Sequence, residues 1–120
     1  VKYWWAYAKT EASKGNYKEA SRQLDINLSN PSSIYMNNAE LIGIGLTAEQ
    51  LERRLQEMLL NQSWGAMQTL CDSFLELVED VETVQYLNYW KAHACYNRGH
   101  YEQSWKLWSG IYQQRYNHDD

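Results

Sequence analysis

The side chains able to do chemistry are few and scattered along the chain. Cys71 and Cys95 are the two thiols; they form no Cys-x-x-Cys pair, and both fall on apolar helical stripes. There a thiol acts as a small inert hydrophobe. A disulfide would require stacking to bring the two together in an oxidising compartment. His93, Cys95 and His100 are neighbours, but His93 and Cys95 face different sides of a helix, where ligands on one face want i,i+4 spacing. No metal is expected. Glu76, Glu79, Asp80 and Glu82 form an acidic run at a helix end, which reads as a solvated terminus rather than an acid–base pair. Gly43-x-Gly45 follows no strand and meets no further glycine, so it is no phosphate cradle. Asn27-Leu28-Ser29 and Asn61-Gln62-Ser63 match the glycosylation pattern at helix positions or ends, and we read them as chance. No nucleophile has a base at a useful spacing. The expectation is a protein that is not an enzyme and uses no cofactor.

Charge narrows the partners. Lys/Arg against Asp/Glu number five to three in residues 1–34, two to nine in 35–82 and four to three in 83–120, for a net charge of −4. An acidic middle lies between mildly basic ends, and no Lys/Arg cluster could neutralise a row of phosphates, so nucleic acid is not an expected partner. The longest apolar stretch, Leu41 to Leu46, is far short of the roughly 20 residues that span a bilayer. Six Trp and ten Tyr stand against one Phe and one Pro. This composition suits helices with aromatic filling and argues against turn-dense β folds. The chain does not begin with Met, and the expectation is a piece of a longer protein.

Helical periodicity places these residues. Tyr3 to Lys14 stops at Gly15, the residue type that tolerates the left-handed conformation past a helix end. Asn16 is expected to cap a second helix, with Glu19 reaching back to it. That helix buries Tyr17, Ala20, Leu24 and Leu28. Asn30-Pro31 predicts a helix start and a short helix from about Pro31 to Leu41. Thr47 and Gln50 make a capping box for a helix whose stripe is Leu51, Leu55, Met58 and Leu59. Ser63 caps the next, carrying Trp64, Met67, Leu70, Cys71, Phe74 and Leu77. A break near Asp80 to Thr83 precedes a helix that stops at Gly99, and Tyr101 begins the last. The spacing predicts an all-α domain of about seven helices.

An internal repeat organises these helices. Gly15-Asn16-Tyr17-Lys18-Glu19-Ala20 is echoed by Gly99-His100-Tyr101-Glu102-Gln103-Ser104, with Ala8 and Ala92 upstream and Leu24 and Trp108 downstream at matching offsets. A weaker copy runs through Leu55, Gln62-Ser63-Trp64-Gly65-Ala66-Met67 and Cys71, with Gln62 in the glycine's place. This resembles the tetratricopeptide repeat, a helical hairpin of about 34 residues that stacks into a solenoid. The copies span about 1–33, 48–81 and 85–118 of one domain, and 34–47 is an extra helix and loop that fits no repeat.

The resemblance implies a non-catalytic interaction module that binds a peptide or helix of a partner protein in a concave groove. Such modules serve as scaffold parts of bacterial secretion or envelope assemblies and as accessory domains of regulators. The family's groove-lining spacing implicates Lys2, Trp5, Lys9, Glu52, Gln56, Tyr89, His93 and Tyr96. Trp4, Tyr17, Trp64, Tyr101 and Trp108 read instead as filling between helices. Two alternatives remain open at this point. One is a homo-oligomer formed through Trp105, Tyr112 and Tyr116 of the aromatic last helix, which lacks the polar face of a terminal repeat. The other is a glycan or small ligand stacked on the rings.

Overall fold

The computed structural model describes residues 3–116. It is all-helical, with no strand among the described residues. The helices are α1 (Tyr3–Ser13), α2 (Tyr17–Asn27), α3 (Asn38–Gly43), α4 (Ala48–Leu60), α5 (Trp64–Leu75), α6 (Val81–Asn97) and α7 (Tyr101–Arg115). A single 3₁₀ turn, Ser33–Tyr35, precedes α3.

Caps explain several boundaries. Thr47 Oγ1 accepts the Gln50 N–H at 3.1 Å, and Gln50 Oε1 accepts the Thr47 N–H at 2.8 Å, so α4 begins with the expected capping box. Asp80 starts α6 by accepting both the N–H and the hydroxyl of Thr83, at 3.0 and 2.9 Å. The starts of α5 and α2 differ from expectation: Ser63 makes no side-chain cap. Asn16 makes no side-chain cap; its amide donates to Glu11 instead, at 2.8 Å. Glu19 is held by Arg22, which donates to both its oxygens at 2.6 and 2.9 Å, and by the Tyr7 hydroxyl at 2.8 Å.

The helix expected from Pro31 to Leu41 is also corrected. Ser32 and Asn37 are extended and cap separate elements, Ser32 accepting from Ile34 N–H and Asn37 from Glu40 N–H. Two competing local caps split one helix into a 3₁₀ turn and a short α-helix.

Gly15, Gln62 and Gly99 join α1 to α2, α4 to α5 and α6 to α7 through one turn geometry. Their φ angles are +83°, +54° and +83°. In each turn the following residue donates to a carbonyl five back: Asn16 to Glu11 (2.9 Å), Ser63 to Met58 (2.8 Å) and His100 to Cys95 (2.8 Å). This is the Schellman closure, which satisfies the last carbonyls of the preceding helix.

The hairpins do not lie side by side in chain order. α4 packs on α5, α5 on α6, α6 on α7, α7 on α2, and α2 on α1. The first hairpin therefore seats against the last helix, and the segment after α2 crosses α6 to reach α4. The molecule measures 42 × 31 × 21 Å. Its shortest dimension is about two helix diameters of roughly 10 Å, a layer two helices thick.

Small residues let α2 and α7 approach. Ala20, Ser21 and Ser104 are fully buried. Ser104 Oγ donates to Ser21 Oγ (2.8 Å), which donates to the Tyr101 carbonyl (3.1 Å), so the buried hydroxyls are satisfied. Trp108, Leu24, Leu51, Leu55, Met67 and Leu87 are fully buried, and each buried Leu contributes about 1.5–3 kcal/mol. Trp4, Tyr17, Trp64 and Tyr101, read as filling, are half-buried.

Candidate functional site

The residues expected to line one groove are distributed over three places. Lys2 lies outside the described residues. Trp5 is only 1% exposed; it stacks on Trp105 at 5.7 Å and meets Tyr112 at 4.6 Å. Lys9 covers the Trp5 ring from outside, 5.4 Å from its centre. Glu52 is half-buried and Gln56 exposed on α4, which packs on α5 and not on α1 or α2.

Tyr89, His93 and Tyr96 share the face of α6 turned to α2. Tyr89 is 2% exposed, and its hydroxyl donates to the Asn30 side chain. His93 stands 3.6 Å from Asp25, stacks on Trp90 and meets Tyr89 and Trp108 edge-on. Tyr96 lies edge-on to Tyr101 at 5.3 Å. The chain's own α2 and the segment after it thus occupy the space across α6. Trp5 and Tyr89 have no face left for a partner, because long-range packing has used the rings for the core. Burial explains the electrostatics here. It pushes the Tyr89 hydroxyl up to about 12 and lowers His93, with Asp25 acting against the latter shift.

The aromatic face of α7 is likewise covered. Trp105 is half-buried under Trp5, and Tyr112 is buried between Trp4 and Trp5. Of the three residues considered for self-association, Tyr116 is the exposed one, at 47%. Cys71 and Cys95 are buried free thiols. Burial holds the Cys71 thiol up at about 12.

Two open clefts stand out from the remaining surface. The larger, about 850 Å³, lies between the beginnings of α2 and α7. Its cations are engaged: Lys18 covers the Tyr101 ring at 5.6 Å, and Lys106 pairs with Glu102 at 3.1 Å.

The second, about 810 Å³, is bounded by the segment after α2, the first turns of α6 and the end of α7. Tyr35, Val81 and Tyr116 line it and are 65%, 60% and 47% exposed. Pro31 lines it but is buried, and Asn30, Ser29 and Ser32 supply amide and hydroxyl groups. Gln85, almost buried, donates to Gln114 at 2.8 Å and accepts from Arg115 Nε at 2.9 Å. The cleft adjoins a smaller one of about 460 Å³ that shares Val81, Gln85 and Gln114 and continues to Leu107 and Ile111.

Sequence reasoning missed this cleft. Its residues come from 29–35, 81–85 and 114–116, and only folding brings those stretches together. The available signal was that Tyr35 and Val81 are large apolar residues lying off every helical stripe. Among the described residues no group of three or more His, Cys, Asp or Glu could hold a metal ion, and no helix is long and apolar enough to cross a membrane. Compared with family models, with curated proteins and with solved structures, the chain matches none.

Proposed function

We propose that this chain is a non-catalytic protein-interaction module of tetratricopeptide-like hairpins, and that it docks an extended peptide segment of a partner protein in the cleft of Tyr35, Val81 and Tyr116. The observation that carries the reading is the convergence of three exposed large apolar side chains on one cleft of about 810 Å³. Exposed apolar side chains that converge, rather than scatter singly, mark interaction sites. Amides and hydroxyls at the rim offer partners for a peptide backbone. The Schellman turns at Gly15, Gln62 and Gly99 fall at equivalent places in the three hairpins, and the same closure at Gly45, where Leu46 donates to Leu41 at 3.2 Å, lies outside them. The seating of α2 on α7 departs from the sequential stacking of a regular solenoid, and the groove across α6 is replaced by this cleft at one edge.

The test is selection of a displayed peptide library on the immobilised chain, repeated with Val81→Asp. Val81 opens α6, and an acidic residue in a first turn suits the helix dipole, so this variant keeps its fold. Peptides that bind the natural chain and lose at least about tenfold in affinity with the variant, through loss of apolar burial, are the expected outcome. Selection of the same peptides by both proteins, or of none by either, refutes the assignment.

A further inference from the structure

Cys71 and Cys95 lie at the centre of the α5–α6 junction. Two polar ties fix how these consecutive helices face each other: Arg98 Nη1 donates to Gln68 Oε1 at 2.6 Å, and Lys91 Nζ pairs with Asp72 at 2.7 Å. Side chains three and four apart share a helix face. Residues 91, 95 and 98 therefore fall on one face of α6, and 68, 71 and 72 on one face of α5. Cys95 is bracketed by Lys91 and Arg98, and Cys71 by Gln68 and Asp72, on the two faces that the ties hold together. Both cysteines are fully buried free thiols, so they point into the junction rather than past its polar edge. Their electrostatics agree with this placement. Burial raises both thiols, and the same ion pair acts on each, with Asp72 pushing up and Lys91 pulling down.

We propose that Cys71 and Cys95 are the two halves of a disulfide that staples α5 to α6, closed by a low-molecular-weight disulfide such as oxidised glutathione. One cysteine thiolate attacks a sulfur of the small disulfide, giving a mixed disulfide and releasing one small thiol. The second cysteine thiolate then attacks the protein sulfur of that intermediate. The Sγ–Sγ bond forms and the second small thiol departs. Two protons pass from the cysteines to the two small thiols, and two electrons pass from the cysteine sulfurs to the small disulfide. In the folded, reduced chain burial holds the Cys71 thiol up at about 12, so the attacking thiolate is scarce there. Closure therefore belongs to moments when α5 is undocked, during folding or local opening. Packing then shields the finished bond from reductants. The staple ties the α4–α5 hairpin to α6, its main contact with the rest of the fold. It is independent of the docking cleft, which neither cysteine lines.

Refolding the full chain from denaturant, in a glutathione redox buffer and separately in dithiothreitol, tests this. Acid-quenched samples are alkylated and weighed by mass spectrometry. After glutathione the chain should take up no alkylating reagent, weigh two hydrogens less, and run as a monomer on a non-reducing gel. Its thermal midpoint should exceed that of the reduced chain by about 10 °C, the scale for a bridged loop of this length in a domain of this size. Cys71→Ala and Cys95→Ala should each remove that difference with helicity retained. Peptide mapping identifies the pair without any variant, because trypsin cuts after Arg54, Lys91 and Arg98 and leaves the two cysteines on separate peptides. Added to the folded, reduced chain, the same buffer should close the bond at least about tenfold more slowly than during refolding.

Two alkylated cysteines after refolding in glutathione overturn the pairing, as does a bond found only between chains. A glutathione adduct that persists on one cysteine without closing to the other overturns it too. Closure with a lowered midpoint means that the helices must shift to make the bond, and overturns the staple. Closure in the folded chain as fast as during refolding overturns the shielding of the thiols by the junction.

Discussion

The α6–α7 hairpin is flanked on two sides, and the two junctions are built from different materials. Toward α5 the contact is soft and apolar: Met67, Cys71 and Cys95 are fully buried. Its polar contacts lie at the edge: the Lys91–Asp72 ion pair at 2.7 Å and Arg98 donating to Gln68 at 2.6 Å. Toward α1 and α2 the contact combines stacked rings with directional polar bonds. Trp5 packs on Trp105 and Tyr112, Ser104 bonds Ser21, Tyr89 bonds Asn30, and His93 faces Asp25. α5 and α6 are neighbours in the chain, whereas α2 reaches α7 across some eighty residues, as in the Ser21–Tyr101 bond. A junction between distant segments must choose its register without a connecting turn. Polar groups that are costly to leave unpaired supply that choice.

Four measurements would break or sharpen this contrast. The largest effect is expected from Trp5→Ala, which removes the ring under the first hairpin. It should cost about 3–5 kcal/mol in a denaturant titration and expose α1 and α2 amides to hydrogen exchange ahead of α5. Uniform loss of protection would mean the two junctions unfold as one. Next is Gln62→Gly. At φ +54° a side chain is strained, so relief should add about 1 kcal/mol, measured as a raised midpoint. No gain would show that the α4–α5 turn is unstrained. Ser21→Ala comes third, at about 1 kcal/mol in the same denaturant titration, because it removes the Ser21 bond to the Tyr101 carbonyl across the junction while Ser104 keeps its own bond to that carbonyl at 2.9 Å.

The fourth and smallest is a pH dependence confined to one junction. Burial depresses the His93 pKa from its ordinary 6.5, against an opposing pull from Asp25. The unfolded chain therefore binds the proton more readily. Stability from this group is present above the unfolded value and falls as pH drops below about 6.5. Tyr89, Trp90, Trp108 and Asp25 face the imidazole, and Asp25 limits the loss by pairing with the protonated ring. His93→Gln should flatten thermal midpoints between pH 5 and 7.5. Asp25→Asn should steepen them. On the α5 side, Cys71 is held near 12 by burial and does not titrate in that window.

What could be read from the chain was local. The turns at Gly15, Gln62 and Gly99 and the Thr47 capping box depend on residues within one or two turns of each other, and such short-range patterns fix the backbone directly. Where two local options compete, the outcome was not legible. Glu19 matches a capping box, yet Arg22 and Tyr7 claim its carboxylate, which is drawn down to about 2 chiefly by the Arg22 bonds. Asn30-Pro31 matches a helix start, yet Asn30 serves Tyr89 across the fold. The groove residues failed to assemble for a third reason. Helical spacing marks Trp5 and Tyr89 as belonging to a face but not which neighbour covers it, and that depends on α2 meeting α7. The cleft of Tyr35, Val81 and Tyr116 is illegible for the same reason, since it has no periodicity at all.

The seating of α1 on α7 also settles how the molecule would carry mechanical load. α1 begins and α7 ends on the same aromatic cluster, where Trp4 lies 4.9 Å from Tyr112 and Tyr116 lies 5.5 Å beyond it. Tension applied between these two ends would pass directly through that cluster, peeling one ring contact after another, while α4 and α5 lie outside the load path. The rings around Trp5 are thus the molecule's mechanical clasp, and α4 and α5 would be the last elements to feel the pull.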